Sequence, residues 1–206
     1  MTSSTPVQPT SGAMRWVQRA AWTLLIVVSA WPGARRAYGA TEDEMRVHAA
    51  YVMNFVRYSR WPQAGDGPLV ISVLGTAQNV SALRDLATRA GAINGRRLSV
   101  RLLPLASIPP SEPAAVRALQ QAAAASDVLY VGSSHRAWSR TAATAMAGRP
   151  VLTVGPGQDF VSSGGMFGMY LDGGHVRFAV NAPAVRASSL DISARLLTLA
   201  RPATGP

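Results

Sequence analysis

Three histidines, His48, His135 and His175, are the side chains best suited to proton transfer or metal ligation, and they stand far apart in the chain. None has a second histidine at metal-ligand spacing, so the sequence shows no sign of a zinc site. Ser133-Ser134-His135 places a hydroxyl beside an imidazole after an apolar run. A hydrolase would need a sharp Gly-x-Ser-x-Gly elbow there to expose its nucleophile, and that pattern is absent. The two serines are instead expected to cap a following helix. Gly155-Pro156-Gly157 superficially resembles a phosphate loop, but Pro156 lacks an amide to donate and the segment is expected to lead into a hairpin. A P-loop also needs a lysine, and the chain has none. Asp85, Asp127, Asp159 and Asp191 are isolated. No cysteine occurs, which removes thiol catalysis, disulfides and cysteine–zinc sites. The inventory points to a non-enzyme without metal or cofactor.

Other residues suit recognition better than catalysis. Arg57, Tyr58 and Trp61 cluster at the end of an amphipathic segment, and arginine and aromatic residues dominate interface hot spots. Trp61 could equally plug the core, and Arg57 could complement a helix dipole. His175 and Arg177 share one face of a strand, where they form either a small recognition patch or a solvated surface. Gly164-Gly165 fits a tight backbone turn or a close ligand approach, and Asn181 fits a cap for the helix begun by Pro183.

The elements that must position these residues follow from periodicity. Thr41-Glu42-Asp43-Glu44 reads as a capping box. From there Met45, Ala49, Val52 and Val56 recur at helical spacing, which predicts a helix over Thr41–Ser59 stopped by Pro62. Apolar runs at Leu69–Leu74, Leu98–Leu103, Val128–Val131 and Val151–Val154 alternate with helical segments at Asn79–Ala90, Ala114–Ala125 and Trp138–Ala147. A proline-rich loop, Pro104–Pro113, precedes the second of these helices. This alternation predicts crossover units on a parallel sheet. Met166–Leu171 and His175–Val180 then flank Asp172-Gly173-Gly174, a hairpin signature. A last helix is expected over Ser193–Ala200. The expected fold is α/β: a three-layer sandwich with a mostly parallel sheet of four strands plus a C-terminal antiparallel hairpin, flanked by helices.

The N-terminus reads as an export leader. Arg15 and Arg19 precede an apolar run of 12 residues, Ala20–Trp31, closed by Pro32. A bilayer-spanning helix needs about 20 apolar residues, so the run suits a secretory signal peptide. Ala37-Tyr38-Gly39 fits the cleavage rule, with a retained signal anchor as the alternative and Met14 as an alternative start. Residues 1–39 are thus an extension plus signal peptide, and 40–206 a single domain in the periplasm. All 20 basic residues are arginine, and four of them belong to the leader, leaving sixteen against ten acids. They are scattered, without the basic stripe of a nucleic-acid binder.

Four ordered segments resemble the YfiR/HmsC-like family. They are Tyr51-Val52-Met53-Asn54-Phe55-Val56-Arg57-Tyr58 with Trp61-Pro62; Ser126-Asp127-Val128-Leu129-Tyr130-Val131; Val151-Leu152-Thr153-Val154 with Phe160 and Gly164-Gly165-Met166; and Val176-Arg177-Phe178-Ala179-Val180-Asn181 leading to Leu190–Ala200. The resemblance implies an α/β sandwich that docks on the periplasmic part of an inner-membrane diguanylate cyclase and keeps it inactive, with a homodimer as a further partner. A small-molecule-binding sensory module feeding a histidine kinase or other receptor is the alternative function, with an unknown ligand. The chain departs from the family at Ser126, where a cysteine is common, and at Pro156, where an acid is usual. Asp159 stands where glycine usually precedes the Phe, and Ser189 replaces the Gly of a Gly-Leu pair.

Overall fold

The computed structural model describes residues 42–62, 65–104, 110–111 and 113–202. The expected leader, the cap expected at Thr41 and residues 105–109 and 112 of the proline-rich loop lie outside the described residues.

Helix α1, Glu42–Arg57, carries three acids in its first turn and Arg57 in its last, both matching the helix dipole. It buries His48, Ala49, Val52, Met53, Phe55 and Val56. The sequence placed its end at Ser59, but the helix stops two residues earlier. The Ser59 hydroxyl donates to the Phe55 carbonyl at 2.7 Å, capping that turn. The chain then extends as β1, Ser59–Arg60, which pairs antiparallel with β9, Asp191–Ile192.

The other elements are β2 (Leu69–Leu74), α2 (Ala77–Ala90), β3 (Ala92–Ile93), β4 (Arg96–Leu102), α3 (Pro113–Ala122) and β5 (Val128–Val131). A 3-10 turn at Ser133–Trp138 leads into α4 (Ser139–Met146), then β6 (Leu152–Pro156) and α5 (Gly157–Ser162). The chain ends with β7 (Phe167–Asp172), β8 (His175–Val180), α6 (Ala182–Ala187), α7 (Ala194–Leu199) and β10 (Arg201–Pro202).

One mixed sheet of eight described strands runs β10-β8-β7-β6-β5-β2-β4-β3. Strands β4, β2, β5, β6 and β7 are mutually parallel, and β8 turns back antiparallel to β7. The hairpin therefore continues the sheet at β6, and the four parallel strands and the C-terminal hairpin expected from the sequence lie in one larger mixed sheet. Alternation divides the sheet's side chains between two cores. Ile71, Val73, Val128, Tyr130, Phe167 and Phe178 pack with α1 and α2 residues on one face. Leu74, Leu129 and Val131 pack with Phe160 and with α3 and α4 residues on the other. The result is an α/β three-layer arrangement.

Four local readings change. Helix α2 starts at Ala77 because Thr76 and Asn79 close a reciprocal capping box. A short strand, β3, turns through Asn94 (φ 53°) and Gly95 (φ 78°) into β4, a two-residue hairpin where only a turn was expected. Helix α3 ends at Ala122, whose carbonyl accepts from Arg101 Nη2 at 3.1 Å. Ser133 and Ser134 do not cap a helix: no side-chain cap bond is made there, and both enter the 3-10 turn.

Candidate partner-binding surfaces

Three ring contacts hold α1 on the hairpin. Phe55 stacks on Phe167 with centroids 4.7 Å apart and meets Phe178 edge-on at 5.0 Å; Tyr51 meets Phe178 edge-on at 6.1 Å. Such pairs add about 0.5–1.5 kcal/mol each beyond their area burial. The Tyr51 hydroxyl then reaches over the strand and donates to the Val176 carbonyl at 2.8 Å. Gly173 and Gly174, at φ 57° and 79°, supply the left-handed pair a two-residue hairpin needs.

This packing leaves a groove of about 440 Å³ lined by Val47, Tyr51, Gly174, His175, Val176 and Arg177. His175 and Arg177 are both exposed and lie on alternate positions of β8, as their spacing implies. Arg177 Nε is 4.0 Å from Asp172 Oδ2, at the limit of an ion pair, and both side chains are about half exposed. Val47 and Leu171 are exposed apolar side chains nearby in the fold, at 42% and 54% of their full area.

The other three candidates divide. Arg57 is exposed at the end of α1, roughly 15 Å along the helix from Val47. Tyr58 packs its half-buried ring against the α1 core, and its carbonyl accepts from the Ser193 amide at 2.9 Å. Trp61 also packs on that core, with Nε1 donating to the Pro150 carbonyl at 3.1 Å. It borders a second cleft of about 490 Å³ shared with Pro68, Arg96, Asp127, Pro150 and Ser189. The groove at His175 and Arg177 is lined by none of Arg57, Tyr58 and Trp61.

Sequence reasoning missed the polar anchor of that second cleft. Arg96 grips both Asp127 oxygens at 3.0 Å and donates to the Gly67 and Pro68 carbonyls at 2.9 Å. Asp127 Oδ2 also accepts from the Val70 amide at 2.8 Å. Both side chains are only about one-sixth exposed. Removing one partner of such a pair costs about 3 kcal/mol, since a charge is left behind in poor contact with water. Asp127 stands before a strand, but nothing in its neighbourhood of the chain names Arg96.

His48 was also passed over as a buried group. It is 5% exposed, its Nε2 has no hydrogen-bond partner, and Glu44 Oε1 lies 3.8 Å away. Burial lowers its pKa, with the Glu44 charge opposing. Burial, reinforced by Glu44, raises the phenol of Tyr130. Among the described residues no group of three or more metal-ligating side chains converges. Ser134 Oγ and His135 Nδ1 are 3.0 Å apart. Among the described residues no carboxylate pairs with that histidine.

The glycine motif proves to be a packing device. A Cβ on Gly165 would sit 2.1 Å from the Phe160 ring and one on Gly155 2.4 Å from it, so the ring is clasped between Gly155 in β6 and Gly165 in the turn before β7. Gly164 takes φ 105° to make the turn. The space a ligand would need at Gly165 is filled by Phe160. Asn181 caps α6, Oδ1 accepting from the Ala184 amide at 3.0 Å while Nδ2 donates to the Val161 carbonyl at 3.1 Å. Helix α5, in which Phe160 sits, was not foreseen; Gly155-Pro156-Gly157 ends β6 and enters this six-residue helix instead of leading straight into the hairpin.

The sheet's connectivity reverses between β2 and β5, where ligands of open α/β sheets usually bind. Here Cβ atoms on Gly75 and Gly132 would lie 2.7 and 2.8 Å from Asn79 Oδ1, so a buried amide occupies the gap.

The pattern of one protein family spans this entire architecture, from α1 to β10: the YfiR/HmsC-like pattern matches residues 45–201. The chain belongs to the YfiR/HmsC-like family. The YfiR/HmsC-like domain is regulatory and non-catalytic, which supports a regulator role in general. No curated protein matches the chain. Among solved structures, a conserved domain protein from Vibrio cholerae O1 biovar El Tor is similar, with 15% identity, a TM-score of 0.48 and 77% of this chain covered. The match takes in 59% of that chain, so this protein spans about three-fifths of its length.

Proposed function

We propose that this protein is a periplasmic, non-enzymatic regulator that binds an inner-membrane signalling protein, a diguanylate cyclase, and holds it inactive. The family match over residues 45–201 carries the reading. Supporting it are the leader-like segment ahead of α1 and the groove between α1 and the edge of the hairpin, whose rim includes Val47, Tyr51, His175 and Arg177. Deleting the gene should raise cellular cyclic di-GMP and biofilm formation. Unchanged levels, with every neighbouring cyclase gene intact, would overturn the cyclase as target.

One observation favours a second reading, a small-molecule sensory module. The cleft beside Trp61 has the volume of a ligand site. It lies at the amino ends of β2, β5 and β6, away from the reversal point filled by Asn79. A thermal-shift screen with nucleotides, amino acids and vitamins separates the readings, because a ligand that binds the folded state raises Tm. A saturable shift abolished by Trp61→Ala supports the sensory module, and no shift with any compound counts against it.

A further inference from the structure

The edge of β8 is paired over only part of its length. Strand β10 runs parallel to it and meets only Ala179 and Val180. In a two-residue hairpin the pair closing the turn exchanges both backbone bonds, here Asp172 with His175. Arg177 and Ala179 then also turn their amides towards β7, while Val176 and Phe178 turn theirs outwards. Among the described strands none takes up those two outward amides, although the register of β10 brings the Arg201 amide to the Phe178 carbonyl. The Val176 carbonyl is met only by the Tyr51 hydroxyl, a side chain standing where another strand's amide would donate.

We propose that this edge, His175–Phe178, is a docking strand for an extended partner segment whose residues alternate between apolar and carboxylate side chains. The inference rests on the reading of the protein as a partner-binding regulator and specifies how the partner is held. An added strand alternates its side chains between the two faces of the sheet. On the α1 face it would meet Val47, Tyr51 and Val176, with exposed Leu171 directly opposite Val176 on β7. On the other face it would pass exposed His175 and Arg177. Arg177 is poorly neutralised, with Asp172 at 4.0 Å, which leaves room for a second carboxylate. Charge selects the occupant. A second copy would bring another Arg177 against the first, and the segment ahead of α1 carries Arg35 and Arg36. Both are repelled, whereas an acidic strand is attracted.

The test uses the full chain and a fluorescein-labelled octapeptide of alternating valine and glutamate, with a valine–lysine peptide as control. Fluorescence anisotropy should show saturable binding of the first peptide only. Arg177→Glu should weaken it by roughly tenfold and favour the lysine peptide, while leaving Tm unchanged. Amide exchange at Val176 and Phe178 should slow when the glutamate peptide is added. Equal binding of both peptides, or no effect of Arg177→Glu, would overturn the proposal. So would concentration-dependent protection of Val176 and Phe178 without peptide, which would mark a second copy on the edge. Should peptide binding fail while gene deletion still raises cyclic di-GMP, the docking mode falls and the regulator reading stands.

Discussion

The Tyr51 hydroxyl donates to the Val176 carbonyl at 2.8 Å, tying the middle of α1 to the outer edge of the hairpin. The two residues are 125 positions apart. This bond fixes the helix over the strand that carries His175 and Arg177, so the groove's shape depends on it. Replacing Tyr51 with Phe keeps the ring contact with Phe178 and removes only the bond. A net loss of about 1 kcal/mol is expected, lowering Tm by roughly 2–4 °C in calorimetry.

Stability should fall on mild acidification because of His48. Burial depresses its folded pKa below the ordinary histidine value of 6.5, so the unfolded chain takes up the proton first. The unfolded state then binds more protons, and stability drops as pH falls below about 6.5 towards the depressed folded pKa. Urea unfolding of wild type and His48→Gln between pH 7.5 and 5 checks this: the variant should lose much of the slope.

Gly165→Ala should destabilise by about 2–3 kcal/mol, since the new methyl group meets a fully buried aromatic ring that cannot retreat. Combining it with Phe160→Leu should cost less than the sum of the single changes, because the smaller side chain yields the space. Additive losses in denaturant titrations would show that the ring and the glycine are not in conflict.

Ser189 occupies the left-handed region at φ 59°, at the position where the family resemblance places glycine. Such a conformation costs a side-chain-bearing residue about 1 kcal/mol or more. Ser189→Gly should therefore stabilise by about 0.5–1 kcal/mol, the gain being trimmed by the greater freedom of glycine in the unfolded chain.

Elements with strong periodicity were legible in the chain itself. Leu69–Leu74 and Val128–Val131 form strands with the expected bounds, and the hairpin around Gly173-Gly174 falls where the turn residues put it. The two-residue β1–β9 pair was not legible, because so short a run has no period and exists only through a partner more than 130 residues away. The Asn94-Gly95 hairpin could have been found, since that dipeptide is a strong turn signal. Helix α5 is too short for a periodic stripe and is held by Phe160 between its two glycines. The candidate site was half legible: exposure of His175 and Arg177 follows from strand alternation, but the groove wall supplied by Val47 and Tyr51 depends on how α1 lies across the sheet. The Arg96–Asp127 pair joins two segments 31 positions apart, and only the pairing of β4, β2 and β5 brings them together.

The most direct measurement is inhibition itself. A full-length inner-membrane diguanylate cyclase from the same organism, in detergent micelles, would be titrated with the purified protein while cyclic di-GMP formation is followed. Turnover should fall saturably, and the same enzyme lacking its periplasmic part should not respond. Undiminished turnover at saturating protein, or equal inhibition of the truncated enzyme, would contradict the account.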